Sequence, residues 1–288
     1  MKVSLCLSGQ PRINQDVLQN HIQVINMGLT EVFVHGWWDD SHRNKTVMFH
    51  STEKFSNEDL GKAFINAYSA KQSQIQDYQE FDLSFCKSHN YDTWKDVPQK
   101  HLDIFTPALL YGQLSQTFSI MKSVEMSLGN SADVIVRSRP DVVFTKNIHE
   151  LVKLLPLKDD EIYFQSSMDG GHIYSGEFPN NPCDWFYCGS PKSMELYTKS
   201  SHESIRFSCR NGVRHVREMA MIAAERAGLK VILCDFGALV YRQLIKNNNH
   251  RKIELYYDEF DSKDLRITHN HEQWPLFHEK IDFRFLSR

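Results

Sequence analysis

The sequence predicts an α/β fold built on a mostly parallel sheet, and three stretches carry that expectation. Residues 3–7 form a short apolar run in which Val3, Leu5 and Leu7 alternate with Cys6, as a buried first strand would. After a polar break, Leu18, Ile22, Ile25 and Leu29 recur at helical spacing, and Val32, Phe33 and Val34 then make a second strand. Further on, an apolar stripe of Leu110, Leu114, Phe118, Met121, Val124 and Leu128 leads into Val134, Ile135 and Val136. Strand, helix and strand in succession imply parallel pairing through right-handed crossovers.

The remaining elements follow in order. Residues 37–106 have a poorer pattern, although residues 56–59 suit a helix cap that presents Leu60, Ala63, Phe64 and Ala67. Residues 71–79 are polar and receive no assignment; a ligand-covering loop and a surface excursion both fit. Gly129 and Asn130 close the long helical stripe. Residues 161–164 and 184–188 read as short strands. Ser190 and Pro191 form an N-cap and first turn for a helix carrying Met194 and Tyr197. Val213, Val216, Ala220, Ala223 or Ala224, and Ala227 mark another helix closed by Gly228, and residues 231–233 form a strand. No repeat or linker divides the chain. One unit over residues 1–288 is expected, with a donor-binding half at 1–145 and an acceptor-side half at 146–288.

A length of 288 residues accommodates one large α/β domain with a full core. The net charge of -3 gives no reason to expect nucleic acid or an anionic membrane as partner. Six cysteines, at 6, 86, 183, 188, 209 and 234, include no CxxC pair, so neither a disulfide scaffold nor a structural zinc site is expected. Cys183 and Cys188 read either as one wall of a pocket or as buried reduced thiols. The opening apolar run is halted by residues 8–12 (SGQPR), too early for a signal sequence or a membrane span. A cytoplasmic location follows as the default expectation.

In an open parallel sheet, ligands bind beyond the carboxyl ends of the strands. Two polar turns are expected there. The first holds Ser8, Gly9, Gln10 and Arg12. One glycine permits close backbone approach, and the turn's N–H groups with Arg12 suit a nucleotide or its phosphates. The turn lacks the GxGxxG and GxxxxGK[ST] patterns, and a plain solvated turn is the alternative. The second turn is residues 137–141, RSRPD, stiffened by Pro140. If it stays extended, Arg137, Arg139 and Asp141 project to one side. Two guanidiniums supply bidentate donors to a diphosphate, and a carboxylate suits a bridging divalent cation. An arginine–aspartate surface network without a ligand is the competing reading. After the second strand, Trp37 and Trp38 beside Asp39 and Asp40 suit base or sugar stacking, or else half-buried packing. Asp169, Gly170, Gly171 and His172 suit a sugar-side loop.

Residues 134–144 (VIVRSRPDVVF) resemble the Arg-x-Arg-x-Asp segment of GT-A-type nucleotide-sugar glycosyltransferases found in bacterial surface-polysaccharide clusters, large DNA viruses and phages. The opening VSLCLSGQPR is similar to their first strand and donor-binding turn. Residues 184–189 (DWFYCG) with the following SPKSM resemble a strand and helix near their acceptor side. Arg217 and Glu218, opening an alanine-rich helix, make a fourth match.

This resemblance implies a GT-A-like domain that moves a sugar from a nucleoside-diphosphate sugar, UDP- or GDP-linked, to a hydroxyl of a glycan acceptor. It implies that Asp141 takes Mn2+ or Mg2+ and that His269 or His271 completes the metal shell. Arg139 stands where the commoner Asp-x-Asp form has its first acid, so Arg137 and Arg139 share the charge neutralisation, and Arg139 joins the catalytic candidates. An inverting enzyme needs a base for the acceptor hydroxyl; Glu218 is the first candidate and Asp184 the second. Three rival functions remain, of which a carbohydrate-binding module fits the arginine-laden turn poorly because such modules rarely need a diphosphate grip. A phosphoryl-transfer hydrolase would want an acid or nucleophile directly after strand one, where Ser8, Gly9 and Gln10 stand. A nucleotide-sugar-binding protein without turnover is suggested by the missing first carboxylate.

Overall fold

The computed structural model describes residues 1–11, 15–24, 28–38, 57–77, 107–144, 147–166, 182–211, 216–234, 236, 238–240 and 268–269. The first strand, β1 (Val3–Gly9), is buried throughout, as its apolar run requires. Helix α1 (Gln15–Val24) leads to β2 (Thr30–Trp38), which lies parallel to β1 with Val3 opposite Thr30 and Gly9 opposite Gly36. Helix α2 (Asn57–Tyr68) then leads to β3 (Gln72–Asp77), parallel to β2. The polar stretch left unassigned from sequence is therefore the sheet's outer strand. An edge strand is held by its backbone ladder on one side and needs no apolar run.

Helix α3 (Pro107–Ser127) runs into β4 (Val134–Ser138), parallel to β1 on its other side. Among the residues of the expected stripe, Phe118, Met121 and Val124 are buried. Gly129, at φ 86, ends the helix in the left-handed region that glycine adopts without strain. A turn separates β4 from β5 (Val142–Phe144). Next come α4 (Ile148–Lys153) and β6 (Glu161–Ser166).

Strand β7 (Pro182–Gly189) runs antiparallel to both neighbours, β6 and β4. Helix α5 (Pro191–Asn211) starts at the expected cap: Ser193 N–H donates to Ser190 Oγ at 3.1 Å. Helix α6 (Val216–Arg226) ends at Gly228, where Leu229 N–H reaches Ala224 O and Gly228 N–H reaches Glu225 O, a paired closure that satisfies two terminal carbonyls. Strand β8 (Lys230–Cys234) lies parallel to β6; β9 (Ala238–Val240) pairs with β5, and β10 (Thr268–His269) pairs antiparallel with β8.

The central sheet has eight strands in the order β10-β8-β6-β7-β4-β1-β2-β3, with β5 and β9 as a separate small sheet. Two cores cover its faces. One joins Leu5, Leu7, Val34, Val136 and Phe186 to Phe64 and Tyr68 of α2 and Leu151 of α4. The other joins Cys6, Phe33, Ile135, Phe164 and Tyr187 to Val124 of α3, Tyr197 of α5 and Ala223 of α6. The fold is thus α/β, a mixed but mostly parallel sheet flanked by helices, the Rossmann-like class expected.

Helix α1 departs from expectation in its buried face. Of the expected stripe within the helix, Leu18 packs partly buried against the core but Ile22 is 44% exposed, whereas Val17, Asn20 and His21 are buried. Polar side chains turn inward because the element they cover, β5, offers backbone groups to bond.

Candidate functional site at the carboxyl edge of the sheet

Strands β4, β1 and β2 run the same way and sit side by side, so their carboxyl ends share one edge. That edge carries Ser8, Gly9 and Gln10 after β1, Trp37 in β2, and Arg137 to Asp141 at the end of β4. Because β7 is reversed and pairs Phe186 with Ser138, its first residues, Asp184 among them, come to the same edge. The short link from α6 into β8 places the amino end of α6, with Glu218, toward that edge too. For Asp184, Glu218 and His269 the description stops at the backbone. Arg12, Asp39, Asp40, His271 and residues 169–172 lie outside the described residues.

The two polar turns read from sequence are bonded to one another. Arg137 Nε–H donates to Ser8 Oγ at 2.8 Å across 129 positions of sequence. Arg137 is fully buried, with its guanidinium 5.5 Å from the centre of the Tyr187 ring. It shares the sheet face of Cys6 and Ile135, where burial pushes the Cys6 thiol up to about 12. Arg137 is therefore a desolvated cation seated behind the β1 turn. A guanidinium is held in such a place by stacking and hydrogen bonding together.

Gly9 has φ 118, a conformation side chains rarely adopt. Its N–H does not face outward: it donates to Ser119 Oγ of α3 at 3.0 Å, and the Ser119 hydroxyl donates to the carbonyl of His35. Expected as a ligand contact, this amide is instead spent on fixing the turn. His35 also sits within 3.1 Å of Ser119 Oγ through Nδ1 and within 2.9 Å of Gln76 Oε1 through Nε2. Burial lowers its pKa to about 4, so it is neutral near pH 7. Trp37 is buried at 6% exposure.

After Ser138 the chain does not stay extended. Val142 N–H donates to Arg139 O at 3.2 Å, closing a four-residue turn with Pro140 in its second position, where a fixed φ suits it. The turn folds Asp141 back onto Arg139. Arg139 Nε donates to Asp141 Oδ1 at 2.8 Å and Nη2 to Oδ2 at 2.7 Å, a two-point pair. Side-chain exposure is 22% for Arg139 and 10% for Asp141. The expectation that Arg137, Arg139 and Asp141 project together is corrected: Arg137 points into the helix-covered layer, and the other two face each other.

The turn is anchored from behind. Asn20 of α1 donates from Nδ2 to Phe144 O and accepts from Phe144 N–H, both at 2.8 Å, and so acts as a one-residue strand partner for β5. His21 Nε2–H donates to Val142 O, leaving Nδ1 to accept from Tyr68 OH at 3.0 Å. Burial lowers the His21 pKa to about 4. On the other side of β5, β9 is held by Gln165 Oε1, which accepts from Phe236 N–H and Ala238 N–H, and by Trp185 Nε1, which donates to Ala238 O.

Asp141 fits a divalent cation poorly in this arrangement. Both carboxylate oxygens already face the Arg139 fork. A dication on the remaining lone pairs would stand about 5 Å from the guanidinium and compete with it for the single carboxylate's charge. Among the described residues no group of three His, Cys, Asp or Glu is arranged to hold a metal. His269, in β10, stands four strands from β4, roughly 19 Å across the sheet at about 4.8 Å per strand.

Sequence reasoning missed Asn20, His21, His35, Gly36 and Ser119. Each is a polar or small residue with no motif around it, and nothing local distinguishes such a residue from an incidental one.

No protein-family model matches the chain, and no curated protein matches its sequence. Among solved structures, the chain is similar to the apo form of mouse xyloside xylosyltransferase 1, with a TM-score of 0.39 and 10% identity over 79% of this chain and 83% of that one. A likeness at that level transfers no residue roles. The strand order and the two helical layers carry the fold class on their own. Among the described residues, no helix is long and apolar enough to cross a membrane.

Proposed function

We propose that the chain is a GT-A-like glycosyltransferase that binds a nucleoside-diphosphate sugar and passes the sugar to a glycan hydroxyl. The observation that carries this reading is the Arg137–Ser8 hydrogen bond. It joins the two turns singled out for donor binding at the carboxyl edge of a parallel sheet, the position where such sheets hold nucleotides. Arg139, the partly exposed guanidinium, is the group that meets the diphosphate directly, while Arg137 acts as fixed charge behind Ser8.

In the reaction the bond from the anomeric carbon to the diphosphate oxygen breaks, and its electron pair leaves with the diphosphate. A hydroxyl oxygen of the acceptor bonds to the same carbon. Its proton goes to a carboxylate if configuration is inverted, and Glu218 and Asp184, on elements ending at this edge, are the candidates. The fixed guanidiniums oppose the charge gained by the leaving group, and loss of one such donor raises the barrier by about 3 kcal/mol, roughly a hundredfold in rate.

The manganese or magnesium ion assigned by resemblance to Asp141, with His269 or His271, is not needed in this account. Thermal-shift measurements with UDP-, GDP-, CMP- and dTDP-sugars are expected to show stabilisation by one donor class, followed by transfer or slow hydrolysis of that donor. Absence of stabilisation by every donor at millimolar concentration, with and without manganese, would end the proposal.

A further inference from the structure

We infer that Asp141 is a positioning residue for Arg139 rather than a cation ligand, so that the donor's diphosphate is gripped without a bridging divalent ion. This rests on the nucleotide-sugar reading above and names the chemistry of the same site.

Three features of the turn carry it. The closure from Val142 N–H to Arg139 O brings residues two apart into register, and Pro140 removes the freedom to reopen. Both carboxylate oxygens then accept along the Nε and Nη2 edge of the guanidinium. That geometry fixes the plane of the fork as well as its position, and a planar fork is what recognises two phosphate oxygens at once. Finally, β5 is clamped on one side by Asn20 and on the other by β9, so the turn is set before any ligand arrives. A carboxylate used in this way contributes direction. One used as a metal ligand contributes charge. The two roles respond differently to removal of divalent ions.

The test is calorimetry of the whole chain with UDP, GDP, CDP and dTDP, first in EDTA and then in manganese or magnesium. Binding of one nucleotide is expected in EDTA, with affinity changed less than threefold by either ion. Asp141→Asn keeps one of the two oxygen acceptors for Arg139 and sets an NH2 donor against the other N–H, so affinity in EDTA is expected to fall, by no more than with alanine. Asp141→Ala removes both of these acceptors from the guanidinium and is expected to weaken binding tenfold or more.

Binding by the wild-type chain only when a divalent ion is present overturns the inference while leaving the nucleotide reading intact. That measurement needs no variant and so stands even if a substitution impairs folding. No binding of any of the four nucleotides, with or without ions, removes the nucleotide reading itself and this inference with it.

Discussion

At the scale of single residues, the β1 turn is shaped by what lacks a side chain. A Cβ on Gly36 would come within 2.6 Å of the Gly9 carbonyl oxygen and 3.1 Å of Ile75 Cδ1. The first neighbour is backbone and cannot swing aside, because the Gly9 N–H is tied to Ser119. Gly36→Ala is therefore expected to destabilise the chain by about 1–3 kcal/mol through overpacking, read as a lowered urea midpoint at unchanged slope. A midpoint equal to wild type would mean that the turn moves freely and that Gly9 is not held as described. From sequence, Gly9 was read as a point of close approach to a ligand; its closest partner across the sheet is another glycine.

Among the elements, α1 does more than cover the sheet. It leaves the β1 turn and returns, through Asn20 and His21, to the strand that follows Asp141, so one helix joins both halves of the candidate site. Asn20→Ala deletes both bonds to Phe144 and leaves its buried N–H and C=O without their partner. With about 1–3 kcal/mol for each orphaned group, a loss on the order of 3 kcal/mol is expected in chemical denaturation. A loss below about 0.5 kcal/mol, the size of an ordinary surface change, would show that water replaces the asparagine at no penalty. Helical periodicity in sequence marks Leu18 and Ile22 as the inward stripe; Leu18 does pack against the core, but Ile22 is exposed and Val17, Asn20 and His21 turn inward as well. Amphipathic reasoning assumes that a helix buries apolar groups against apolar groups, and β5 presents backbone.

For the whole molecule, the three-layer arrangement buries histidines as neutral groups. His21 and His35 have folded pKa values near 4, below an ordinary value of 6.5, and burial is the first cause in both. His149 is lowered as well, first by burial, and neither of its ring nitrogens has a hydrogen-bond partner among the described residues. Depressed histidine pKa values mean that the unfolded chain binds protons first as pH falls. The stability they represent is complete above about pH 6.5 and drains away as pH drops toward about 4, at about 1.4 kcal/mol per pH unit for each proton. His21 and His35 each account for a loss on the order of 3 kcal/mol over that window. Urea midpoints measured from pH 7.5 to pH 4 are expected to fall steeply below 6.5. A flat profile down to pH 5 would show that these imidazoles are not held neutral.

The sequence by itself determined the local choices. Apolar runs marked β1, β2, β4 and β8, Ser190 with Pro191 set the start of α5, and Gly228 set the end of α6. It also marked both polar turns, since charged residues after a buried strand stand out against it. Tertiary structure alone decided the reversal of β7, the edge position of β3, the inward face of α1, and the bond from Arg137 to Ser8. The physical reason is range. Propensity, periodicity and capping act over a few residues, whereas pairing between strands and the satisfaction of buried polar groups join positions more than a hundred residues apart, and which partners meet is set only when the layers close.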